Sequence, residues 1–370
     1  MLFLWSREKE SDTISTMKPQ SSSSRFPSEI SGMARSGQNR RQFLKSAGAT
    51  ALAAGGLLPT GRAAAANSSS PETLVKTLFD SLSEEQSSKV VIPWNDALRM
   101  RIENNWHILP QRVGTFFTPD QQAMIREIFL GIHSDEYRDE VWKAYLHDNQ
   151  AKGATTPEEI FGGASVAIFG APGTPQFEFV FTGRHCTRRC DGNSVAGAAF
   201  GGPIFYGHAA GSFNEGPTHE GNAYWFQAKR ANEVFEMLDG KQREIAMAEE
   251  GREERGRKTV ELTGKTEGLD GIRVGDLSKD QQDHVRKVLA DLLSPFRKED
   301  REESMKYVEP QFNDLHLAFY KKGDIGNDKV WDVWQVEGPN MVWHFRGAPH
   351  VHTWVNIEAP PEKGDPFKAA

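Results

Sequence analysis

The chain has 370 residues, of which 26% are charged, and a formal net charge of −7. Residues 67–370 carry 35 Lys and Arg against 47 Asp and Glu, a net charge of −12, which disfavours binding to nucleic-acid phosphates. No apolar run reaches the roughly 20 residues that a membrane-spanning helix needs, so the sequence predicts no stable membrane span.

The N-terminus has the three parts of a removable export signal. The heptapeptide Asn39-Arg40-Arg41-Gln42-Phe43-Leu44-Lys45 resembles the twin-arginine motif, and it is followed by an apolar run at 47–58 and small residues at 63–66. We therefore predict that residues 1–66 are an N-terminal extension and signal peptide that is removed. The twin-arginine translocase would then deliver the protein to the periplasm or the exterior. The sequence leaves open whether translation begins at Met1 or at Met33.

The rest of the chain, 67–370, is predicted as a single α+β domain. Its helical part spans 67–160, its β part spans 161–210 and 310–358, and a helical insertion lies between them at 222–306. Helical spacing of apolar residues predicts helices at 71–82, 94–104, 119–148, 222–249 and 278–306. Alternating and apolar runs predict strands at 164–169, 177–181, 315–320, 331–337, 341–345 and 350–357. Because helices and strands do not alternate regularly, we expect a mostly antiparallel sheet core flanked by helices.

A short pattern occurs three times at predicted helix starts. Ser83, Thr118 and Ser278 are each followed three residues later by Gln, which is the signature of a capping box. The second and third copies match further along the chain, through Arg126 and Arg286. These starts reflect either common capping chemistry or an internal duplication, and the sequence leaves both readings open. The charged stretch 249–258 is predicted to be a solvated loop.

His350 and His352 are the most informative polar residues. Side chains two positions apart on a strand point to the same face, so this pair could hold one metal ion. Val351, Thr353 and Val355 form the opposite face. His-x-His also occurs by chance on exposed strands.

A third metal ligand must come from elsewhere, and His185 is the best candidate. The spacing places it on one face of the strand that begins at Phe177, although a buried histidine bonded to a carbonyl would fit as well. Weaker candidates are His208, His219 and His344.

The two cysteines, Cys186 and Cys190, are too few for a disulfide framework. They could form one local bridge, bind a metal or remain free thiols. Arg184, Arg188 and Arg189 surround them and either bind an anionic group or pair with surface acids.

Several familiar catalytic motifs do not occur in the sequence. It has no dinucleotide fingerprint, no phosphate-binding Walker loop, no His-Glu-x-x-His and no Gly-x-Ser-x-Gly. We therefore expect no nucleotide cofactor, and neither of the common metallopeptidase and serine-hydrolase designs.

A series of short motifs in order resembles a known bacterial family. The series is Asn104-x-Trp106, Pro110-x-Arg112-x-Gly114, a helix start with Gln, Gly183-x-His185, Gly202-Pro203-x-Phe205-x-Gly207, Glu337-Gly338-Pro339 and His350-x-His352. It is similar to domain of unknown function 3500, and the similarity covers nearly all of 67–370. The resemblance implies an exported protein of unassigned activity. The family pattern Gly-His-His here reads Gly183-Arg184-His185, so one family histidine is replaced, whereas His350 and His352 match. An acidic stretch of the family is replaced by Trp354-Val355-Asn356.

These features predict an exported protein with a metal site formed by His185, His350 and His352. The metal would be a divalent transition ion, Zn, Cu or Fe, because imidazole suits all three. The protein would be a metal-dependent hydrolase or oxidase, with Arg184 as a contact for an anionic substrate and Trp343 or Trp354 lining the pocket. The alternative is a non-catalytic periplasmic protein that binds a metal or a small, sugar-like ligand. A third reading makes the histidines structural core residues.

Overall fold

A computed structural model describes residues 70–150, 153–208, 223–324 and 329–360. The predicted export signal, His219 and residues 361–370 lie outside these ranges. Residues 66–370 belong to one compact unit. The helices are α1 Pro71–Asp80, α2 Glu84–Val90, α3 Val113–Phe116, α4 Pro119–Gly131, α5 Arg138–Asp148, α6 Pro157–Phe161, α7 Trp225–Met237, α8 Gly240–Ala246, α9 Lys279–Leu293 and α10 Lys298–Val308. Within the described part, no helix is long and apolar enough to cross a membrane.

Eleven strands form one sheet in the described residues. They are β1 Val91–Ile92, β2 Ser165–Gly170, β3 Phe177–Gly183, β4 Cys186–Cys190, β5 Ile204–His208, β6 Met247–Ala248, β7 Ile272–Arg273, β8 His316–Tyr320, β9 Val333–Gly338, β10 Met341–Arg346 and β11 Val351–Ile357. The order is β1-β2-β3-β4-β5-β11-β10-β9-β8-β6, with β7 pairing beside β8. All pairs are antiparallel except β1 with β2 and β6 with β8. The predicted α+β class with a mostly antiparallel sheet is confirmed.

The chain is built from two similar halves. Each half begins with two helices and a two-residue strand, continues through a long loop and further helices, and ends with four strands of the sheet. The further helices are α3 to α6 in the first half and α9 and α10 in the second, where β7 precedes them. The first half supplies β1 to β5 and the second supplies β6 to β11, so the strand order of one half runs in reverse in the other. The two halves meet where β5 pairs antiparallel with β11. The two halves are thus related by a pseudo-two-fold axis in their topology. This relation favours duplication as the origin of the repeated helix starts.

The three predicted capping boxes are all present, at Ser83, Thr118 and Ser278. Their glutamines also make equivalent contacts in the two halves. In the first half, the side chain of Gln121 donates to the carbonyl of Ser81 and exchanges hydrogen bonds with Gln86. In the second, Gln281 donates to the carbonyl of Met237 and exchanges hydrogen bonds with Gln242. Each buried glutamine therefore ties two helix ends together.

The two faces of the sheet are covered differently. The face that carries Val351 and Val355 packs in a large apolar core with the helices. The opposite face is covered by the long loops of the two halves, where Ile102 and Val260 pack against Trp354. The polar side chains of the candidate site lie toward this loop-covered face.

Several predicted helix bounds are wrong. Segment 94–104 contains only a short 3-10 turn at Ala97–Met100. The guanidinium of Arg189 donates to the carbonyls of Arg99 and Arg101, which are therefore not available for helical hydrogen bonds. The predicted helix 278–306 divides at Pro295, which cannot continue a helix. The predicted helix 119–148 divides near Ser134, whose amide donates to the carbonyl of Pro295.

Two further differences concern the second helical region and the strands. The predicted helix 222–249 divides because Asp239 forms a further capping box and starts a new helix. Strands β4 and β5 were not predicted, since their polar and glycine-rich sequences carry little alternation.

The hydrogen bonds that Gln121 and Gln281 make to neighbouring helix ends lead to a test of the fold. Replacing Gln121 with Ala should lower the free energy of unfolding by about 2–3 kcal/mol, because the buried groups that it satisfies lose their partners. Gln281→Ala should cost a similar amount if the two halves are equivalent. Urea unfolding, with Glu127→Ala on the exposed face of α4 as control, measures both. A loss no larger than that of the control would contradict the role assigned to Gln121.

Candidate metal centre

The first candidate ligand lies in a tight turn. The hairpin between β3 and β4 has only Arg184 and His185 in its turn, so His185 lies beyond the strand on which it was predicted. His185 has φ of 49°, which is uncommon for a residue other than glycine. Its amide donates to the carbonyl of Asn104 at 2.8 Å, and its carbonyl accepts from the amide of Gly207 at 3.2 Å. These two bonds hold the turn between the first long loop and β5.

The other two candidates come from the second half. His352 is the second residue of β11 and lies opposite Gly207 of β5, while His350 immediately precedes the strand. A Cβ at Gly207 would come within 2.3 Å of the carbonyl oxygen of Val351 and 3.4 Å of the His185 Cβ. Glycine at this position therefore allows β5 and β11 to approach closely beside the site.

The three imidazoles converge through their Nε2 atoms. The distance from His350 Nε2 to His352 Nε2 is 2.9 Å, and that from His352 Nε2 to His185 Nε2 is 3.0 Å. One ligand atom from each histidine lies within 4.8 Å of the others, and all three residues are buried. For comparison, nitrogens of a tetrahedral zinc site are about 3.3 Å apart when each Zn–N bond is about 2.0–2.1 Å. The group could therefore hold a metal ion.

Two carboxylates support the ring nitrogens that face away from the cluster. Asp148 is at the end of α5, and its Oδ2 lies 2.6 Å from His185 Nδ1. Glu254 is in the second long loop, and its Oε2 lies 2.5 Å from His352 Nδ1. An ionised carboxylate accepts hydrogen bonds and cannot donate one, so its partner Nδ1 carries the proton in each of these two rings. Metal-binding histidines commonly have such carboxylate partners.

The assigned tautomers leave only lone pairs between His185 and His352. Neutral His185 and His352 have no proton on Nε2, yet these atoms are 3.0 Å apart. Two facing lone pairs repel each other unless a cation lies between them. A proton is a poor candidate at neutral pH, because histidinium is disfavoured at His350 and His352 by their buried surroundings. A metal ion satisfies all three nitrogens at once.

The electrostatics of the site favour neutral imidazoles beside an ionised carboxylate. Burial, followed by the charges of His352 and His185, lowers the pKa of His350 to about 3. Burial lowers the pKa of His352 to about 4, although its hydrogen bond to Glu254 acts in the opposite direction. Burial raises the pKa of Glu254, but the hydrogen bond from His352 and the charges of His352 and Arg346 outweigh this effect and hold that pKa at about 2.

Two arginines lie behind the carboxylates. Arg346 Nε donates to Glu254 Oε1 at 2.6 Å. Arg184 Nε lies 3.8 Å from Asp148 Oδ1, and 38% of its side chain is exposed. Each carboxylate thus stands between a histidine and an arginine, which fixes its orientation. The charged loop 249–258 is not simply solvated, because Glu254 is part of this arrangement.

The other sequence candidates lie elsewhere. His208 is buried on β5 opposite Val351, and its ring is 5.6 Å from that of His147. His344 is bonded through Nδ1 to Gln335, and burial lowers its pKa to about 4. Trp343 donates to the hydroxyl of Tyr206 in the helix-covered core, so its predicted place beside the histidines is wrong.

Trp354 shares the loop-covered face with His352, where it packs against Phe205 with ring centroids 4.6 Å apart. It is only 1% exposed and belongs to the core. Neither tryptophan has an exposed ring surface that a ligand could contact.

Neither the cysteines nor the neighbouring arginines form a second site. Cys186 and Cys190 are free and buried. They lie four positions apart on β4, about 13 Å, which is too far for a disulfide. Arg188 donates to His133 Nε2 and to the carbonyl of Phe205. Arg189 is paired with the buried Glu178.

Sequence reasoning missed both carboxylates of the site. Asp148 occupies the last turn of a helix, and Glu254 is one of several glutamates in a charged loop. Nothing in their spacing distinguishes them from exposed neighbours. Only the packing of the loop and of α5 against the sheet identifies them.

The fold and site define an α+β protein with a buried group of three histidines backed by two carboxylates. A family model described as a protein of unknown function (DUF3500) matches residues 65–358, and the chain belongs to this family. The resemblance in the sequence is therefore confirmed. No curated protein and no solved structure matches the chain.

The histidine pKa values lead to a pH prediction for metal-free protein. His352 in the unfolded chain binds a proton near its ordinary pKa of 6.5, whereas in the fold its pKa is about 4. Between these values the unfolded state binds more protons, so stability is highest above pH 6.5 and falls as the pH drops toward 4. We expect a loss of about 2 kcal/mol from this residue between pH 6.5 and 5.

Urea unfolding in the presence of a chelator at these two pH values measures the effect. A His352→Gln variant should show a smaller decrease than the wild type. An equal decrease in both proteins would mean that His352 is not the responsible group.

Proposed function

We propose that the protein is an exported metal-dependent enzyme whose ion is bound by His185, His350 and His352. The observation that carries the proposal is the approach of His352 Nε2 and His185 Nε2 to 3.0 Å while both Nδ1 atoms face carboxylates. This arrangement directs three ring nitrogens at one point and leaves no proton between His185 Nε2 and His352 Nε2. The carboxylates Asp148 and Glu254 would orient the rings and increase their basicity.

The ligand set favours zinc over copper or iron. Blue-copper sites need a cysteine ligand and non-haem iron oxygenases commonly use two histidines and a carboxylate, whereas this group contains three imidazoles. Three histidines with an open fourth position are typical of catalytic zinc. Such an ion lowers the pKa of bound water and polarises a carbonyl, which supports hydrolysis or hydration. We therefore prefer a hydrolase to an oxidase.

Arg184 is our candidate contact for the substrate. It neighbours His185 in the turn, and its side chain is much more exposed than the three histidines. A guanidinium at this position suits a carboxylate or phosphate group of a small molecule. Its pairing with Asp148 would also couple substrate charge to the orientation of His185.

A second candidate function is non-catalytic metal binding. The observation that favours it is the burial of the ligands, since His185, His350 and His352 are 7%, 6% and 4% exposed. A closed site holds its ion without exchanging a ligand, whereas a catalytic site keeps a position for water or substrate. Water exchange at the bound ion distinguishes the two functions.

The metal site is tested by elemental analysis of untagged protein. The wild type should contain about one equivalent of zinc, and the His350→Ala/His352→Ala variant should contain none, because two of three ligands are removed. His344→Gln, which replaces another buried histidine, should keep the metal. Absence of metal from the wild type after reconstitution would contradict the proposal, as would its retention in the double variant.

Glu253, which precedes Glu254 in the chain, provides a matched control for a test of Glu254. Glu254→Gln should weaken metal affinity about 10-fold to 100-fold, because the supporting carboxylate of His352 is lost. Glu253→Gln changes a neighbouring, largely exposed glutamate and should have little effect. Competition titration with a chromophoric chelator compares the two. Equal affinities would indicate that Glu254 has no part in the site.

Export is proposed from the sequence of the N-terminal segment. A variant with Arg40 and Arg41 both changed to Lys should remain in the cytoplasm at precursor size, because the translocase requires the arginine pair. The wild type should be recovered outside the cytoplasm with an N-terminus near Asn67. Fractionation and N-terminal sequencing test this. Export of the double-lysine variant at wild-type levels would exclude the twin-arginine route.

A further inference from the structure

The turn that carries His185 leaves two backbone groups that need a partner. Arg184, the first residue of the turn, forms an isolated antiparallel bridge with Asn105 of the first long loop. The next residue makes the hydrogen bond to this loop, since the amide of His185 donates to the carbonyl of Asn104 at 2.8 Å. In this kind of pair the bridged residues do not bond to each other, and their own amides and carbonyls point away from the partner. The amide and carbonyl of Arg184 must therefore be satisfied on the other side.

The side chain of Asn149 satisfies both of these groups. Its Oδ1 accepts from the amide of Arg184 at 3.0 Å, and its Nδ2 donates to the carbonyl of Arg184 at 3.2 Å. The same Nδ2 donates to the carbonyl of Tyr145, in the last turn of α5, at 2.9 Å. One carboxamide thus pairs with Arg184 as a neighbouring strand would and connects it to the helix. A carboxylate or an aliphatic group of the same size cannot make this set of bonds, because it lacks the donors or the acceptor.

Asn149 directly follows the carboxylate that binds the ring of His185. It is the C-cap residue of α5, and its own amide donates to the carbonyl of Tyr145 at 3.0 Å. Asp148, the last residue of the helix, lies 2.6 Å from His185 Nδ1. The helix dipole disfavours a carboxylate in the last turn, so Asp148 does not serve the stability of the helix itself. Two consecutive residues at one helix end therefore hold the two consecutive residues of the turn.

The backbone around the turn is shaped to allow this contact. A Cβ at Gly183 would come within 3.2 Å of Asn149 Oδ1 and within 2.9 Å of the Tyr145 hydroxyl, so glycine lets the end of β3 lie against the end of α5. His185 has φ of 49°, and a residue other than glycine keeps such a conformation only where its surroundings enforce it. The bonds from Asn149 to the preceding residue contribute to that enforcement.

We propose that Asn149 is a positioning residue of the metal centre, an inference that rests on the metal site proposed above. By fixing the backbone of Arg184, it maintains the turn conformation that directs His185 Nε2 toward the other two histidines. Asp148 orients the ring, whereas Asn149 sets the position of the backbone from which the ring extends. The same contact fixes the backbone that carries the Arg184 side chain, so the metal ligand and the proposed substrate contact keep a constant relative position.

Cobalt(II) binding to untagged protein tests the proposal, because the visible spectrum of cobalt depends on the number and geometry of its ligands. Asn149→Leu nearly conserves the side-chain volume and removes the bonds to Arg184 and Tyr145. We expect this variant to bind cobalt about 10-fold or more weakly, the loss typical when a partner that orients a metal ligand is removed. Its bound cobalt should absorb more weakly in the visible range, since water would replace a displaced His185 and raise the coordination number.

Asn232 provides a matched control. Its side chain also accepts a hydrogen bond from a distant backbone amide, that of Trp331, at 3.3 Å. Asn232→Leu should lower the thermal stability of the protein and keep the cobalt affinity and spectrum of the wild type, which separates positioning of the ligand from general stability. If Asn149→Leu does not fold, Asn149→Ser serves in its place, because a single short hydroxyl cannot bond to both backbone groups of Arg184.

The outcomes distinguish this inference from the proposed metal site. Wild-type affinity and spectrum in the Asn149 variant, or an equal change in Asn232→Leu, would overturn the role of Asn149 and leave the metal site in place. Failure of the wild type to bind either cobalt or zinc would overturn the metal site, and this inference with it.

Discussion

The pairing of β5 with β11 is the contact on which the rest of the structure depends. It joins the strands of the two halves into one sheet. Helices cover one face of this sheet and the two long loops cover the other. It also brings a turn of the first half beside a strand of the second, so that His185 meets His352. Because one residue of slip would turn every side chain of β11 to the other face, this register has to be fixed. Gly207 helps to fix it by allowing a backbone approach that any side chain would obstruct.

The histidine cluster shows how burial and hydrogen bonding act together. Burial lowers the pKa values of His350 and His352, and the carboxylates determine which nitrogen of His185 and of His352 carries the proton. Neither effect alone would prepare a metal site, since exposed imidazoles would be hydrated and unsupported rings could rotate. The arginines beyond the carboxylates complete a chain of alternating charge that runs from the surface to the ring nitrogens. The histidine pair on one strand thus becomes a three-dimensional site only through the loops that cover it.

The sequence predicted features that depend on local chemistry and failed where long-range packing decides. The capping boxes and the opposed faces of β11 follow from rules that act over three or four residues, and both are present. Segment 94–104 has helical spacing, yet its carbonyls are taken by Arg189 from a distant strand. Glu254 looked like one solvated charge among many because its partner, His352, is 98 residues away. The three histidines could be named from strand periodicity and family motifs, but their convergence could not.

The two halves also differ in a way that a symmetric assembly does not permit. In a homodimer with a two-fold axis, every substitution appears at both equivalent sites, and neither can change alone. Here both copies lie on one chain, so the turn between β3 and β4 can hold His185 while the corresponding turn between β9 and β10 holds Asn340. Fusion of the copies removes the need to keep two identical sites. A single polypeptide can therefore keep three convergent histidines at one position while the related position changes, within a scaffold whose strand order is the same in both halves.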